Sequence, residues 1–348
     1  MMASPVFVVG TGRCGSTLLS ACLAAHPQVL SLSELFVFAT DLGGRIPQAF
    51  PEGEVSGEAV WSILGGIHAR QTLMLRNNVM MEEALYRPGP GRRFTAETGI
   101  PALAATTLAH LTDDPDALLD QLEPLIRGLA PAPIGEQYRR IFNGLCQQRG
   151  ARLWVERSGG SLRIVRRLRQ HFPEARFVHL VRDGRDCALS MSRHLGFRMA
   201  LIDAQLTEVL GVDPFESADR TYVGDLPDDL ARYLPEAFDA AAFRAEVTPP
   251  PLAGHYWSGE IMQGLRDLAG LSDGQLLTLR YEDLLAEPQL FLERFFDFVL
   301  PEGPPPDLAA LAARVRAPRS NWRTLPATTL EQLEIACRPG MAALEGLR

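Results

Sequence analysis

The chain contains no lysine: all 34 of its basic residues are arginine. That excludes Schiff-base chemistry and the nucleoside triphosphatases that depend on a phosphate-reaching lysine. Any bound anion must instead meet guanidinium, imidazole or backbone N–H groups. Cysteine is sparse. Cys14, Cys22, Cys146, Cys187 and Cys337 are scattered and form no C-x-x-C pair, which argues against a disulfide framework or a thiolate zinc site and for a reducing compartment. The seven histidines show no metal-ligand spacing, so no metal is expected. No apolar run reaches the roughly 18 residues of a membrane span, and the N-terminus lacks the charged and apolar regions of a secretory leader. The sequence therefore predicts a soluble, cytoplasmic protein. Positive charge is not in surplus: the net charge is −8, which disfavours nucleic acid as a partner.

What is present is an ordinary globular composition, 46% apolar and 22% charged over 348 residues, enough to bury a sizeable core. Four short apolar runs read as buried parallel strands: Val6–Gly10, Leu153–Glu156, Arg176–Val181 and Leu276–Arg280. Helical patterns follow them at Ser16–Ala25, Ser161–His171, Asp186–His194 and Pro288–Leu300. This alternation predicts an α/β fold around a central parallel sheet. Two long stretches, about 35–150 and 195–270, interrupt it with amphipathic helical patterns such as Glu136–Arg149 and proline breaks at Pro131–Pro133 and Pro249–Pro251. They are expected to be helical insertions in a single domain spanning 1–348, placed where substrate-shaping lids usually sit.

Between the first strand and helix lies Gly10-Thr-Gly-Arg-Cys-Gly-Ser-Thr17. Such a loop turns tightly and presents N–H groups and a helix N-terminus to an anion. Gly10, Gly12 and Gly15 spell the G-x-G-x-x-G of a dinucleotide site, with Glu34 at a distance suited to a ribose, so an NAD(P)-dependent oxidoreductase is one reading. A triphosphatase loop is excluded, because Ser16 stands where the lysine is required.

A third reading accounts for Arg13, Ser16 and Thr17 as well. Pro5-Val-Phe-Val-Val-Gly-Thr-Gly-Arg-Cys-Gly-Ser-Thr-Leu-Leu19, followed by His26-Pro27, resembles the 5′-phosphosulfate loop of sulfotransferases that use 3′-phosphoadenosine 5′-phosphosulfate (PAPS). The resemblance implies a three-layer, P-loop-like, nucleotide-binding fold, with Gly12, Arg13, Cys14, Gly15, Ser16 and Thr17 on the co-substrate. Cys14 stands where the family more often has serine or another small residue. Phe177-Val-His-Leu-Val-Arg-Asp-Gly-Arg-Asp-Cys-Ala-Leu-Ser190 matches the same family's 3′-phosphate motif, in which Arg182 and Ser190 hold the phosphate. A planar guanidinium can grip a phosphate with two hydrogen bonds, and a dinucleotide dehydrogenase needs no such second anion site. Arg280-Tyr-Glu-Asp-Leu284 also resembles a sequence common in the family, read here as a strand-to-helix turn with a buried Tyr281 and capping carboxylates. Arg319-Ser-Asn-Trp-Arg323 resembles the loop that closes on the cofactor in related enzymes and brings in Ser320.

The chemistry so implied transfers a sulfuryl group to a hydroxyl of a small-molecule acceptor, a lipid, polyketide or sugar alcohol, without a metal. In the branch that includes tyrosylprotein sulfotransferases the base is a glutamate just beyond His-Pro. Ser31-Leu-Ser-Glu34 occupies that place, so Glu34 is the expected base, with His68 or His110 as fallbacks. Arg157, in Trp154-Val-Glu-Arg-Ser-Gly159, stands at the lysine of the family's Glu-Lys-Thr-Pro and is expected to stabilise the leaving group together with Arg13. Arg163, Arg166, Arg167 and Arg169 read as a solvated helix face. The rivals are the oxidoreductase and a nucleotide-binding module without catalysis.

Overall fold

A computed structural model describes residues 3–303, 306–316 and 321–346. Its centre is a five-stranded sheet of β1 (Val6–Val9), β2 (Val29–Ser33), β3 (Leu153–Arg157), β4 (Arg176–Val181) and β5 (Leu276–Arg280). The spatial order is β2-β3-β1-β4-β5, and every neighbouring pair is parallel. Strands buried on both faces must be apolar nearly throughout, and Val6–Val9 is buried at every position. Helices flank the sheet, giving a three-layer, P-loop-like α/β fold. The elements used below are α1 (Ser16–Ala24), α2 (Leu35–Ala39), α3 (Ile134–Gln148), α4 (Val165–His171), α5 (Gly184–Met191), α6 (Leu195–Leu210), α7 (Pro250–Leu268), α8 (Pro288–Val299) and α9 (Ala327–Glu345).

The sequence predicts four of the five strands and misses β2. Its Ser31 and Ser33 break the apolar run, yet all five of its residues are buried. Both hydroxyls find partners inside: Ser31 Oγ donates to the Ser20 carbonyl at 3.4 Å and Ser33 Oγ accepts from Arg157 at 2.7 Å. Phe7 anchors the core beneath the sheet, with Trp154, Phe172 and Phe177 at centroid distances of 5.7, 5.1 and 5.7 Å. A second apolar cluster joins the two helical stretches, with Phe38, Met74 and Val79 packed with Met199, Ile202 and Phe243. Pairing register aligns the strand ends: Ser33 lies opposite Arg157, Val8 opposite Arg157, and Val181 opposite Arg280. Glu34, the loop after β1, Ser158, Arg182 and Tyr281 therefore all emerge at the carboxyl edge, where open α/β sheets bind ligands.

Candidate active site

The loop after β1 turns through positive φ at Gly12 (81°), Arg13 (55°) and Gly15 (94°). Space as well as conformation demands glycine at two of these positions. A Cβ on Gly15 would come within 2.3 Å of the Tyr281 ring, and one on Gly12 within 2.8 Å of Phe197. The loop, with the N-terminus of α1, borders a cavity of about 720 Å³. Gly12, Arg13, Gly15, Ser16, Thr17, Glu34, Arg157, Arg182 and Ser190, all singled out in the sequence, line it together. Cys14 differs. Its thiol is 1% exposed and packs against Gly10 beneath the loop, and burial pushes it above the ordinary thiol range. The side chain fills space, and Cys14 is not among the residues that line the cavity. Ser320 lies outside the described residues.

Arg182, at the end of β4, donates through Nη1 to the Arg13 carbonyl at 3.0 Å, lies 4.8 Å over the Tyr281 ring, and has Asp186 at 3.8 Å. Its Nε and Nη2 are buried and have no hydrogen-bond partner among the described residues. Tyr281 thus backs both Gly15 and Arg182, while Glu282 accepts from the Asp183 N–H at 2.8 Å before α5, so the Arg-Tyr-Glu-Asp turn supports both anion motifs. Ser190 Oγ accepts from Arg13 Nε at 3.0 Å. The other two nitrogens of Arg13 reach Glu83 at 3.1 Å and Glu82 at 3.3 Å, which places this guanidinium beside Ser190.

Sequence reasoning missed Glu83 and His194, whose significance is spatial. His194 Nδ1 accepts from the Phe197 N–H at 3.3 Å, leaving Nε2–H to face both Glu83 oxygens at 2.9 Å. Burial alone would raise the Glu83 carboxyl, but His194 and Arg13 bring it down to about 2.

Glu34 follows β2 with a left-handed φ of 54° and is 3% exposed. Arg157, last in β3, forms a close ion pair with its Oε1. The Gly159 N–H donates to Oε2 at 2.7 Å. Burial pushes this carboxyl up and the Arg157 guanidinium opposes the shift. Both oxygens of Glu34 thus have a protein partner, one each. Behind it lies Glu156, fully buried and also missed: Ser158 Oγ donates to it in a close contact and accepts from the Phe36 N–H at 2.9 Å. Burial raises the Glu156 carboxyl to about 8.

His110 lines the cavity, and burial followed by the nearby Arg157 charge holds its ring below the ordinary histidine range. His68 is buried against Arg45 at 3.3 Å and is not among the cavity's lining residues. Of the expected solvated arginine face, Arg163 and Arg166 are exposed and Arg167 and Arg169 half-buried, but Arg163 and Arg169 have further contacts. Arg163 lines the cavity, donating to Tyr256 Oη at 2.8 Å and pairing with Glu260 at 3.3 Å, and Arg169 donates to the Ala269 carbonyl at 3.0 Å. Trp322 is buried between the guanidinium groups of Arg185 and Arg323, 3.8 and 4.2 Å from its ring centroid. Among the described residues no cluster of three or more His, Cys, Asp or Glu side chains is placed to hold a metal ion, and no helix is long and apolar enough to cross a membrane.

No curated protein gives a significant sequence match. Among solved structures the chain is similar to a sulfotransferase domain from the curacin biosynthetic pathway, at 18% identity and a TM-score of 0.42 over 94% of this chain and 82% of that one. A sulfotransferase from Alicyclobacillus acidocaldarius is similar at 17% identity and 0.42, over 100% and 96% of the two chains. Another, from Mycobacterium avium, is similar at 15% identity and 0.44, over 99% and 77%. A family model described as the sulfotransferase family matches residues 5–238, well over half of the chain. The protein belongs to the sulfotransferase family.

Proposed function

We propose that the protein transfers the sulfuryl group of PAPS to a hydroxyl of a small-molecule acceptor by in-line displacement at sulfur. The observation that carries this reading is Arg182, on the cavity wall that also holds Ser190 and the glycine loop. Two of its buried guanidinium nitrogens, Nε and Nη2, have no hydrogen-bond partner among the described residues, Nη2 having only the Asp186 carboxylate at 3.8 Å. Buried donors of this kind are costly unless a ligand meets them, and a phosphate fits their fork. Arg182 and Ser190 would hold the 3′-phosphate end of the donor, joined by Arg13, whose hydrogen bond to Ser190 favours this end over the leaving-group role expected from the sequence. The N–H groups of the loop, Ser16 and Thr17 would hold the 5′ end. When bound, the donor supplies an activated sulfuryl group.

Glu34 accepts the acceptor's hydroxyl proton. Each of its oxygens keeps a lone pair beyond those taken by Arg157 and Gly159, and its raised proton affinity suits a base. The acceptor oxygen bonds to sulfur as the bond from sulfur to the phosphate oxygen breaks, and that electron pair leaves with the phosphate. As Glu34 takes up the proton, Arg157 loses its carboxylate partner and its charge is left to face the departing group. An arginine stabilises that charge without giving up a proton.

Calorimetric titration tests the reading. 3′-Phosphoadenosine 5′-phosphate is expected to bind and NAD is not, and labelled PAPS should yield sulfated product. Binding of NAD with indifference to the bisphosphate would overturn it.

A further inference from the structure

Helix α6 is apolar on two faces. Met199, Ile202, Leu206 and Leu210 are buried in the second core, which accounts for folding. Phe197, Ala200, Leu201 and Ala204, at the i, i+3, i+4, i+7 spacing of a single stripe, instead line the cavity. The chain just after Glu34 adds Val37, Leu42 and Ile46 to the same cavity. These two walls are tied together by Arg70, which is 1% exposed. It pairs with Asp41, next to Leu42, at 3.2 Å, with Asp203, next to Ala204, at 2.9 Å, and with Asp213 in a close contact. The apolar cleft is therefore built before any ligand arrives, and apolar surface held open to water favours an apolar occupant.

Apart from Arg182 Nε and Nη2 and His110 Nε2, which have no hydrogen-bond partner among the described residues, the charged groups of the cavity are engaged by the protein. Glu82 and Glu83 are engaged by Arg13 and His194, and Arg163 by Tyr256 and Glu260. Among the described residues no Asp, Asn or Gln lines the cavity, so the dense hydrogen bonding that a desolvated sugar requires has no counterpart here.

Resting on the sulfotransferase reading above, we infer that the acceptor is an uncharged alcohol with a hydrocarbon body, its hydroxyl at Glu34 and its body between the 37–46 segment and the α6 stripe. Titrating a homologous series of unbranched primary alcohols into the full chain saturated with 3′-phosphoadenosine 5′-phosphate tests this. Each added methylene should tighten binding about three- to fourfold, and methyl glucoside should not bind. Ala204→Arg, at an exposed position, should weaken alcohol binding more than tenfold while bisphosphate affinity holds or tightens. Leu201→Ser, a smaller perturbation, should weaken it in the same direction. Wild-type protein that binds the bisphosphate but shows no chain-length dependence, or prefers the glucoside, overturns the acceptor class alone. Failure to bind the bisphosphate overturns the donor reading and the acceptor assignment with it.

Discussion

At the scale of single residues, two buried glutamates, one just past the end of β2 and one in the adjoining β3, have been given different environments. Glu34 faces the cavity and shares Arg157; Glu156 faces inward against the Ser158 hydroxyl and the Phe36 N–H. Glu34→Gln keeps size and hydrogen bonding but cannot take a proton, so saturated turnover should fall by ~10²–10⁴-fold. Bisphosphate affinity should hold or tighten, since a negative charge has left the cavity. A mutant within a few-fold of wild-type turnover would remove Glu34 from the role and leave His110, the histidine of the two fallbacks that lines the cavity, as the next base. Glu156 makes a stability prediction. Its folded carboxyl is raised to about 8, so the folded state binds a proton that the unfolded chain releases, and stability is lost as pH rises from the unfolded value near 4.5 towards 8. Glu156→Gln keeps an acceptor for Ser158 and removes that loss. Its advantage in Tm over wild type should therefore grow between pH 5 and pH 8; an advantage that is flat with pH would show that Glu156 does not titrate in this range.

At the scale of elements, the sequence marks what is local and passes over what is spatial. The four apolar strands and the helices after them are legible because burial on both faces leaves a continuous apolar run. β2 is not, because Ser31 and Ser33 are satisfied by α1 and Arg157, partners that no local pattern reveals. The glycine loop and Arg182 are legible by motif. Glu83 lies within an insertion without a motif, and only the fold brings it to Arg13 across 70 positions. The Arg70 knot is of the same kind, joining Asp41 to residues 203 and 213. Its carboxylates outnumber its guanidinium. Burial, opposed by Arg70 and reinforced by Asp213, raises the Asp203 carboxyl to about 6. Arg70→Met would strand these acids in the interior, a change that typically costs about 3–5 kcal/mol. Urea unfolding should show that loss at pH 8, and a smaller one at pH 5, where the Asp203 carboxyl can protonate. Equal losses at both values would mean that Arg70 acts by packing, for instance on the Phe215 ring 4.9 Å away, with its charge contributing little.

Over the whole molecule, the distribution of charge matters more than its sum. A chain with a net charge of −8 brings Arg13, Arg157, Arg163 and Arg182 to one cavity at the carboxyl edge of its sheet. Three of the four are compensated by carboxylates within 3.4 Å; Arg182, whose nearest carboxylate is at 3.8 Å, is the least satisfied. On the proposed reading, a multiply charged donor bound here would tie together the loop after β1, the end of β4 and the start of α5, and so stabilise the fold by mass action. At a thousandfold excess over Kd that increment is about 4 kcal/mol. Arg182→Ala should weaken bisphosphate binding by ~1.5–3 kcal/mol, the scale of a hydrogen bond to a charged group. At the same ligand concentration it should forfeit a matching part of the thermal shift, while the unliganded Tm changes less. Because the positive charge at the cavity comes from arginine, neither the shift nor turnover should respond to exhaustive chelation. Loss of activity in EDTA, restored by one divalent ion, would instead place a metal in the reaction. An Arg182→Ala protein with the wild-type shift would move the 3′-phosphate elsewhere in the cavity.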